Sequence, residues 1–239
     1  MNFEGKNILI IGGSSGIGLQ LAKSLTASGA NVYVASRTKN DELPTEVQYL
    51  TLDVKEDLSA LSSFIPSPLH GLVYAVGNIN LKPISRITKD DLLNDFQLNV
   101  VGAVLATQQV LPALKAANGA SVVFISSVAA QTGMGFHSSV AAAKAGLEGA
   151  AVALAAELAP IKVRVNVVAP SLTDTPMAER LLNTPEKREA AGKRHPLGRV
   201  GAVEDITAAI SYFLSDDSSW VSGQILGVDG GMGKLRTNI

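Results

Sequence analysis

The chain has 239 residues, long enough for one large α/β domain with a well-buried core. Its 20 basic and 21 acidic residues leave a formal net charge of −1 with no long run of either sign, which argues against a nucleic-acid or anionic-membrane surface. Cysteine is absent, which excludes disulfides and thiolate metal sites, and no cluster of His, Asp and Glu has metal-ligand spacing. The amino terminus, Met1-Asn-Phe-Glu-Gly-Lys-Asn7, lacks a charged region followed by an apolar stretch. Apolar runs such as Asn7–Ile11 are far shorter than the roughly 20 residues of a membrane span. The expectation is a soluble, cytoplasmic protein.

Along the chain, short β-branched runs alternate with longer helical patterns. Strands are predicted at 7–11, 31–35, 47–52, 71–76, 120–126, 162–168 and 224–228. They are mostly continuous apolar stretches, as parallel strands buried on both faces require. Helices are predicted at 16–28, 58–64, 89–117, 139–158 and 203–214. This alternation implies right-handed crossovers and a doubly wound parallel sheet of about seven strands with helices on both faces. No linker, low-complexity tract or repeat interrupts it, so a single domain over 1–239 is expected. The longest segment without a strand, 175–201, carries Lys187, Arg188, Lys193, Arg194, His195 and Arg199 among Glu179, Glu186 and Glu189. Ligands of open α/β sheets bind beyond the carboxyl ends of strands, so an insertion leaving a strand there is placed as a lid. The alternative is a solvated helical excursion of mixed charge.

The first strand is followed by Gly12-Gly13-Ser14-Ser15-Gly16-Ile17-Gly18, which opens directly into Leu19-Gln20-Leu21-Ala22. Glycines let a backbone turn tightly and approach a pyrophosphate, and the helix start offers unpaired N–H groups and a positive dipole end. Position at a strand-to-helix junction in the first unit separates this from a purely structural glycine turn. The second strand ends Val34-Ala35-Ser36-Arg37. A cofactor lacking the 2′-phosphate would favour a carboxylate there, and none is present. Ser36 and Arg37, with Lys39 close behind, suit a phosphate, so NADP(H) is expected over NAD(H). The bland reading of Arg37 is a solvated loop cation.

The run Ser126-Ser127-Val-Ala-Ala-Gln-Thr-Gly-Met-Gly-Phe-His137-Ser-Ser-Val140-Ala-Ala-Ala-Lys144 resembles the active-site strand and helix of the short-chain dehydrogenase/reductases. In that family a serine, a tyrosine thirteen positions on and a lysine four beyond it carry the proton transfer. Ser127 and Lys144 fit this spacing, but Val140 stands where the tyrosine belongs. The glycine spacing also resembles the family's, and further matches extend over nearly the whole chain. Asp53, in Leu52-Asp53-Val54, matches the aspartate that bonds the adenine amino group. The family's Asn-Asn-Ala-Gly reads here Tyr74-Ala75-Val76-Gly77, retaining only Gly77. Asn99 matches the asparagine whose backbone helps hold a water near the lysine. Pro170-Ser171-Leu172-Thr173-Asp174-Thr175 matches Pro-Gly-x-x-x-Thr with Ser171 in place of glycine, and the threonine contacts the nicotinamide carboxamide. Val228-Asp229-Gly230-Gly231 resembles the family's usual close.

The resemblance implies a Rossmann-type fold and a dinucleotide held by Gly12, Ser14, Ser15, Gly16, Ile17, Gly18, Ser36, Arg37, Asp53, Val54, Gly77, Lys144 and Thr175. It also implies a homodimer or homotetramer, a small-molecule substrate, and neither nucleic acid nor membrane as partner. The chemistry then has a gap. Hydride transfer to a carbonyl leaves charge on oxygen, and a positioned acid that neutralises it is worth about 10²–10⁴-fold. Val140 has no proton to give; Ser127 orients an oxygen, and Lys144 is matched to the nicotinamide ribose.

His137 is a candidate substitute. It lies seven residues before Lys144, so 137, 140 and 144 share a face if the helix reaches back that far. The enoyl-acyl-carrier-protein reductases place their tyrosine at this seven-residue spacing. The plainer reading is a loop histidine with Ser138 or Ser139 as N-cap. The catalytic candidates are therefore Ser127, Lys144, Asn99 and His137. The function expected is an NADP(H)-dependent oxidoreductase acting on a carbonyl, hydroxyl or enoyl group with an atypical proton donor. The alternative is a catalytically silent dinucleotide-binding protein, a sensor or partner subunit.

Overall fold

The structure is a computed structural model and describes residues 1–236. Seven strands pair wholly in parallel: β1 (Asn7–Ile11), β2 (Asn31–Ser36), β3 (Gln48–Thr51), β4 (Gly71–Tyr74), β5 (Ala120–Ile125), β6 (Val163–Pro170) and β7 (Ile225–Val228). Their order is β3-β2-β1-β4-β5-β6-β7. Successive strand residues feed two different cores, which is why the strands read as unbroken apolar runs. Leu9, Ile11, Leu72, Tyr74, Val122 and Phe124 face one core, under α2 (Ala60–Phe64), α4 (Gly102–Ala116) and α5 (Ser138–Leu158). Ile8, Ile10, Val73, Val123 and Ile125 face the other, under α1 (Gly16–Ala27) and α8 (Val203–Leu214). Strand order reverses between β1 and β4, and the crevice at their carboxyl ends is where such a sheet takes a ligand.

The long helix predicted at 89–117 is interrupted. It forms α3 (Lys89–Phe96), a π turn over Gln97–Val101, then α4. Side chains engage two carbonyls at this break, one in the last turn of α3 and one in the π turn. Asn99 Nδ2 donates to the Asp95 carbonyl at 2.8 Å, and the Tyr74 hydroxyl donates to the Leu98 carbonyl at 2.6 Å. A π turn inside a helix frequently marks a functional position, and this one presents Asn99 to the crevice side. The start of α3 is set by a reciprocal cap: Thr88 Oγ1 accepts from the Asp91 N–H at 3.1 Å and the Asp91 carboxylate accepts from the Thr88 N–H at 3.0 Å.

One other expectation needs correction. His137, not Ser138 or Ser139, holds the cap position of α5, and its carbonyl accepts from the Ala141 N–H at 2.8 Å. The stretch Ser138–Ile161, most of it α5, is long and apolar enough by composition to cross a membrane, although no short apolar run announces it. Here it packs on β6 and α3, with Lys144 and Glu148 buried along it. Strand ends differ from prediction by one or two residues, since an apolar run does not mark where pairing stops.

The segment 175–201 folds as α6 (Glu179–Leu182) and α7 (Pro185–Gly192) beyond the carboxyl end of β6. Ala178, Leu182 and Ala191 form a small apolar cluster of its own, and Arg188 clamps Asp174 through two bonds of 2.6 and 3.1 Å. This explains its mixed charge: the charged residues face out while the small apolar ones anchor it.

Candidate active site

The glycine loop folds as a tight cradle between β1 and α1. Gly12 has φ +88°, and a Cβ there would lie 3.0 Å from the carbonyl of Ala75. A Cβ on Gly18 would run into the Gly12 carbonyl oxygen. Ser15 caps α1 in an extended conformation without a side-chain cap bond, so the first N–H groups of the helix are available to an anion. Asn40 Nδ2 donates to the Ser14 carbonyl at 2.9 Å, tying the loop after β2 to this cradle. Ser36 is turned inward: its hydroxyl donates to the Thr38 carbonyl at 3.2 Å, and its own carbonyl accepts from Tyr49 at 2.7 Å. Arg37 and Lys39 project outward, and Arg37 has no carboxylate partner among the described residues. Asp53 follows β3, with one oxygen accepting from the Lys55 N–H at 3.0 Å, and Val54 beside it is buried.

A cavity of about 280 Å³ opens beside the loop, lined by Ile17, Gly77, Ser127, His137, Val140, Lys144 and Thr175 among others. The structure thus brings the sequence-derived catalytic candidates Ser127, His137 and Lys144 to one wall system. Ser127 follows β5, and its hydroxyl oxygen accepts from the Ala129 N–H at 3.2 Å, leaving its proton free to be donated. Ser126 is turned away, donating to Glu148 Oε1 at 2.7 Å, while Gln131 Nε2 donates to the other carboxylate oxygen at 3.0 Å. Glu148 therefore ties α5 to the Ser127 loop, a role that nothing in its sequence position announced.

Lys144 is 5 % exposed, and its ammonium donates to the Ile125 carbonyl at 2.6 Å. Burial pushes its pKa down to about 8, with the Glu148 carboxylate one turn away opposing the shift. A Cβ on Gly77 would stand 3.3 Å from Lys144 Nζ and 3.5 Å from Asn99 Oδ1, so only glycine leaves this opening clear. Asn99 Oδ1 is buried with no hydrogen-bond partner among the described residues. An orphaned acceptor beside an ammonium with spare protons calls for a polar group in the space between. Across the glycine loop, Thr175 closes in: its Cγ2 would lie 3.2 Å from a Cβ on Gly16. Cradle, outward cations and orphaned acceptor all fit a dinucleotide.

Val140 is a buried alkyl wall, one turn before Lys144. His137 Nδ1 lies 2.6 Å from the Gly135 carbonyl. A carbonyl only accepts, so Nδ1 carries the hydrogen and Nε2 is bare in the neutral ring. Tyr74, in the place of the family's asparagine, is fully buried. Burial, and secondarily the Asp53 charge, hold its phenol well above the usual range.

Two groupings escaped the sequence reading. The buried carboxylate of Asp95 accepts from Asn78 Nδ2 at 2.6 Å, Asn80 Nδ2 at 3.1 Å and Ser139 Oγ at 2.6 Å. It pins the start of α5 and the strand-end segment to α3. Ser171 and His195 also line the cavity and are bonded to each other. The signal available was Ser171 itself, standing where the family has glycine.

The chain belongs to the short-chain dehydrogenase/reductase family and is an oxidoreductase of that type: a family model described as enoyl-(acyl carrier protein) reductase matches residues 12–233. It is 35% identical to the 3-oxoacyl-[acyl-carrier-protein] reductase FabG of Thermotoga maritima, over 97% of this chain and 99% of that protein. It is 33% identical to the L-xylulose reductase of Bos taurus, over 97% and 98% respectively. The solved structure of a short-chain type dehydrogenase/reductase from Mycobacterium ulcerans is similar with a TM-score of 0.91 at 27% identity, covering 99% of this chain and 92% of that one.

Proposed function

We propose that the protein is an NADP(H)-dependent oxidoreductase that transfers hydride to or from a small carbonyl, hydroxyl or enoyl compound, with its proton supplied by a group other than residue 140. The observation that carries this is the opening at Gly77, flanked by the buried Lys144 ammonium and the orphaned Asn99 Oδ1. A non-catalytic remnant has no use for a buried cation aimed at the nicotinamide end, where it costs stability.

The bound dinucleotide supplies the hydride. The glycine loop from Gly12 to Gly18, with Ser14 and Ser15, holds its pyrophosphate, and Asp53 and Val54 flank the adenine. Arg37 takes the 2′-phosphate with Ser36 and Lys39; the outward guanidinium, with no carboxylate partner among the described residues, supports this assignment. Lys144 holds the nicotinamide ribose and Thr175 the carboxamide. Ser127 donates to the substrate oxygen, and 175–201 serves as the lid, its residues Met177, Leu181 and His195 already on the cavity wall. Two of the named relatives reduce ketones, a 3-oxoacyl group and a ketose, which favours a carbonyl substrate.

Val140 favours a second reading, a silent dinucleotide-binding subunit. NADPH oxidation with acetoacetyl thioester, 9,10-phenanthrenequinone and crotonyl thioester, beside NADPH binding by fluorescence, separates the two. Turnover of at least one compound is expected; tight binding with none would sink the enzyme reading. Exposed Phe96, Leu105 and Val152 on α3, α4 and α5, with Trp220 and Leu226 near β7, support a homodimer or homotetramer, which light scattering tests.

A further inference from the structure

We infer that Ser171 and His195 form the proton relay that replaces the missing tyrosine. This rests on the oxidoreductase reading above and names the group that acts on the substrate oxygen. His195 Nε2 lies 2.8 Å from Ser171 Oγ, and His195 Nδ1 lies 2.8 Å from the Ala191 carbonyl. The carbonyl only accepts, so Nδ1 carries a hydrogen in every form of the ring. In the neutral ring Nε2 is then an acceptor, and the Ser171 hydroxyl donates to it. A hydroxyl, a base and a third group that orients the base form the arrangement by which proteins make serine move protons.

The placement is right for the chemistry. Both residues line the same cavity as Ser127 and Lys144. The pairing of β5 with β6 ends at Ile125 opposite Val168, and Ser127 lies two residues beyond Ile125 while Pro170 lies two beyond Val168. Ser171 is the next residue, so the two serines stand at neighbouring strand ends, with strands about 5 Å apart. Among the described residues the Ser127 hydroxyl is bonded to a backbone N–H alone and has no acid–base partner of its own. The His195 ring is 3 % exposed and fixed at both nitrogens, whereas the half-buried His137 ring is held at one. The lid supplies the base and the sheet supplies the hydroxyl, so the pair exists only when the lid is docked.

In the reducing direction the carbonyl carbon gains hydride from the reduced nicotinamide and its oxygen gains charge. The Ser171 O–H bond breaks toward that oxygen as the Nε2–H bond of the His195 imidazolium breaks toward Oγ. One alcohol O–H bond forms, the serine is unchanged, and His195 ends neutral, to be recharged from water. Alcohol oxidation runs the same transfers backward from neutral His195.

The test compares wild type, Ser171→Ala, His195→Gln and His137→Ala with NADPH and the most active of acetoacetyl thioester, 9,10-phenanthrenequinone and crotonyl thioester. Ser171→Ala and His195→Gln should each lose about 10²–10⁴-fold in kcat, with NADPH Kd and substrate KM within about threefold of wild type. Ring nitrogen NMR of the cofactor-free protein should show neutral His195 protonated at Nδ1, with an Nε2 resonance that moves in Ser171→Ala. The relay is overturned if both variants keep kcat within about threefold, or if His137→Ala suffers the larger fall. It is also overturned if the loss appears in KM or NADPH Kd, as a mere clip between lid and sheet would give, or if neutral His195 carries its proton on Nε2. A wild-type protein that turns over none of the three compounds defeats the oxidoreductase proposal, and the relay with it.

Discussion

Lys144 links the active site to stability in a way that pH exposes. Burial lowers its pKa from 10.5 to about 8 in the folded protein. Below about pH 8 both folded and unfolded chains carry the charge, and the folded state bears the full cost of burying it. As pH rises from there, the folded protein sheds a proton that the unfolded chain keeps until about pH 10.5. The unfolded state then binds more protons, so this group makes stability rise with pH. A shift of this size corresponds to about 3 kcal/mol in total, of which about 2 kcal/mol is recovered between about pH 7.5 and about pH 9.5. Tyr74 acts with the opposite sign: its raised pKa makes stability fall once unfolded phenols ionise near pH 10, so the window must end below that. The assay is urea unfolding of cofactor-free wild type and Lys144→Met across this window. The wild-type curve should climb relative to the variant by about 2 kcal/mol. Parallel curves would refute the claim that Lys144 is held as a buried, strained cation awaiting a ligand.

Three further outcomes are expected. Arg37→Ala should weaken NADPH about 10–100-fold, the worth of a charge-assisted bond to phosphate, and leave NADH nearly unchanged; equal weakening in equilibrium titrations would overturn the cofactor assignment. Val140→Tyr placed in the Ser171→Ala variant should restore ketone reductase kcat by about 10²-fold or more, since it puts a phenol one turn from Lys144; a folded, NADPH-binding double variant with no gain would show that the cavity has diverged beyond this side chain. Tyr74→Phe should cost about 1–2 kcal/mol in urea unfolding and lower kcat, because the Leu98 carbonyl loses its 2.6 Å partner and the π turn carrying Asn99 loosens. A change under about 0.5 kcal/mol would mean that the turn holds without it.

The sheet was legible because its physics is local. Continuous apolar runs of β-branched residues belong to strands buried on both faces, and all seven appear where predicted within a residue or two. The glycine loop was legible for a similar reason: close backbone approach at Gly12 and Gly18 tolerates no other residue, so the requirement is written at those positions. The break in the helix at 97–101 was not. It depends on a bond from Tyr74, 24 residues before Leu98, and on the Asn99 side chain engaging the Asp95 carbonyl, neither of which disturbs helical periodicity. The α5 cap was misplaced because Ser139 prefers a buried carboxylate from α3 over its own backbone.

The sequence by itself determined the strands, the glycine cradle, the cations after β2 and the absence of a phenol at position 140. These are properties of single residues or short spacings, and they survive in one dimension. Tertiary structure decided how the site is completed. It set the burial that lowers the pKa of Lys144, the glycine opening that leaves Asn99 Oδ1 unpaired among the described residues, and the fold of 175–201 that carries His195 back to Ser171. Each of these joins residues distant in the chain, and the energies involved are desolvation and hydrogen bonding at contacts that exist only after the chain has packed.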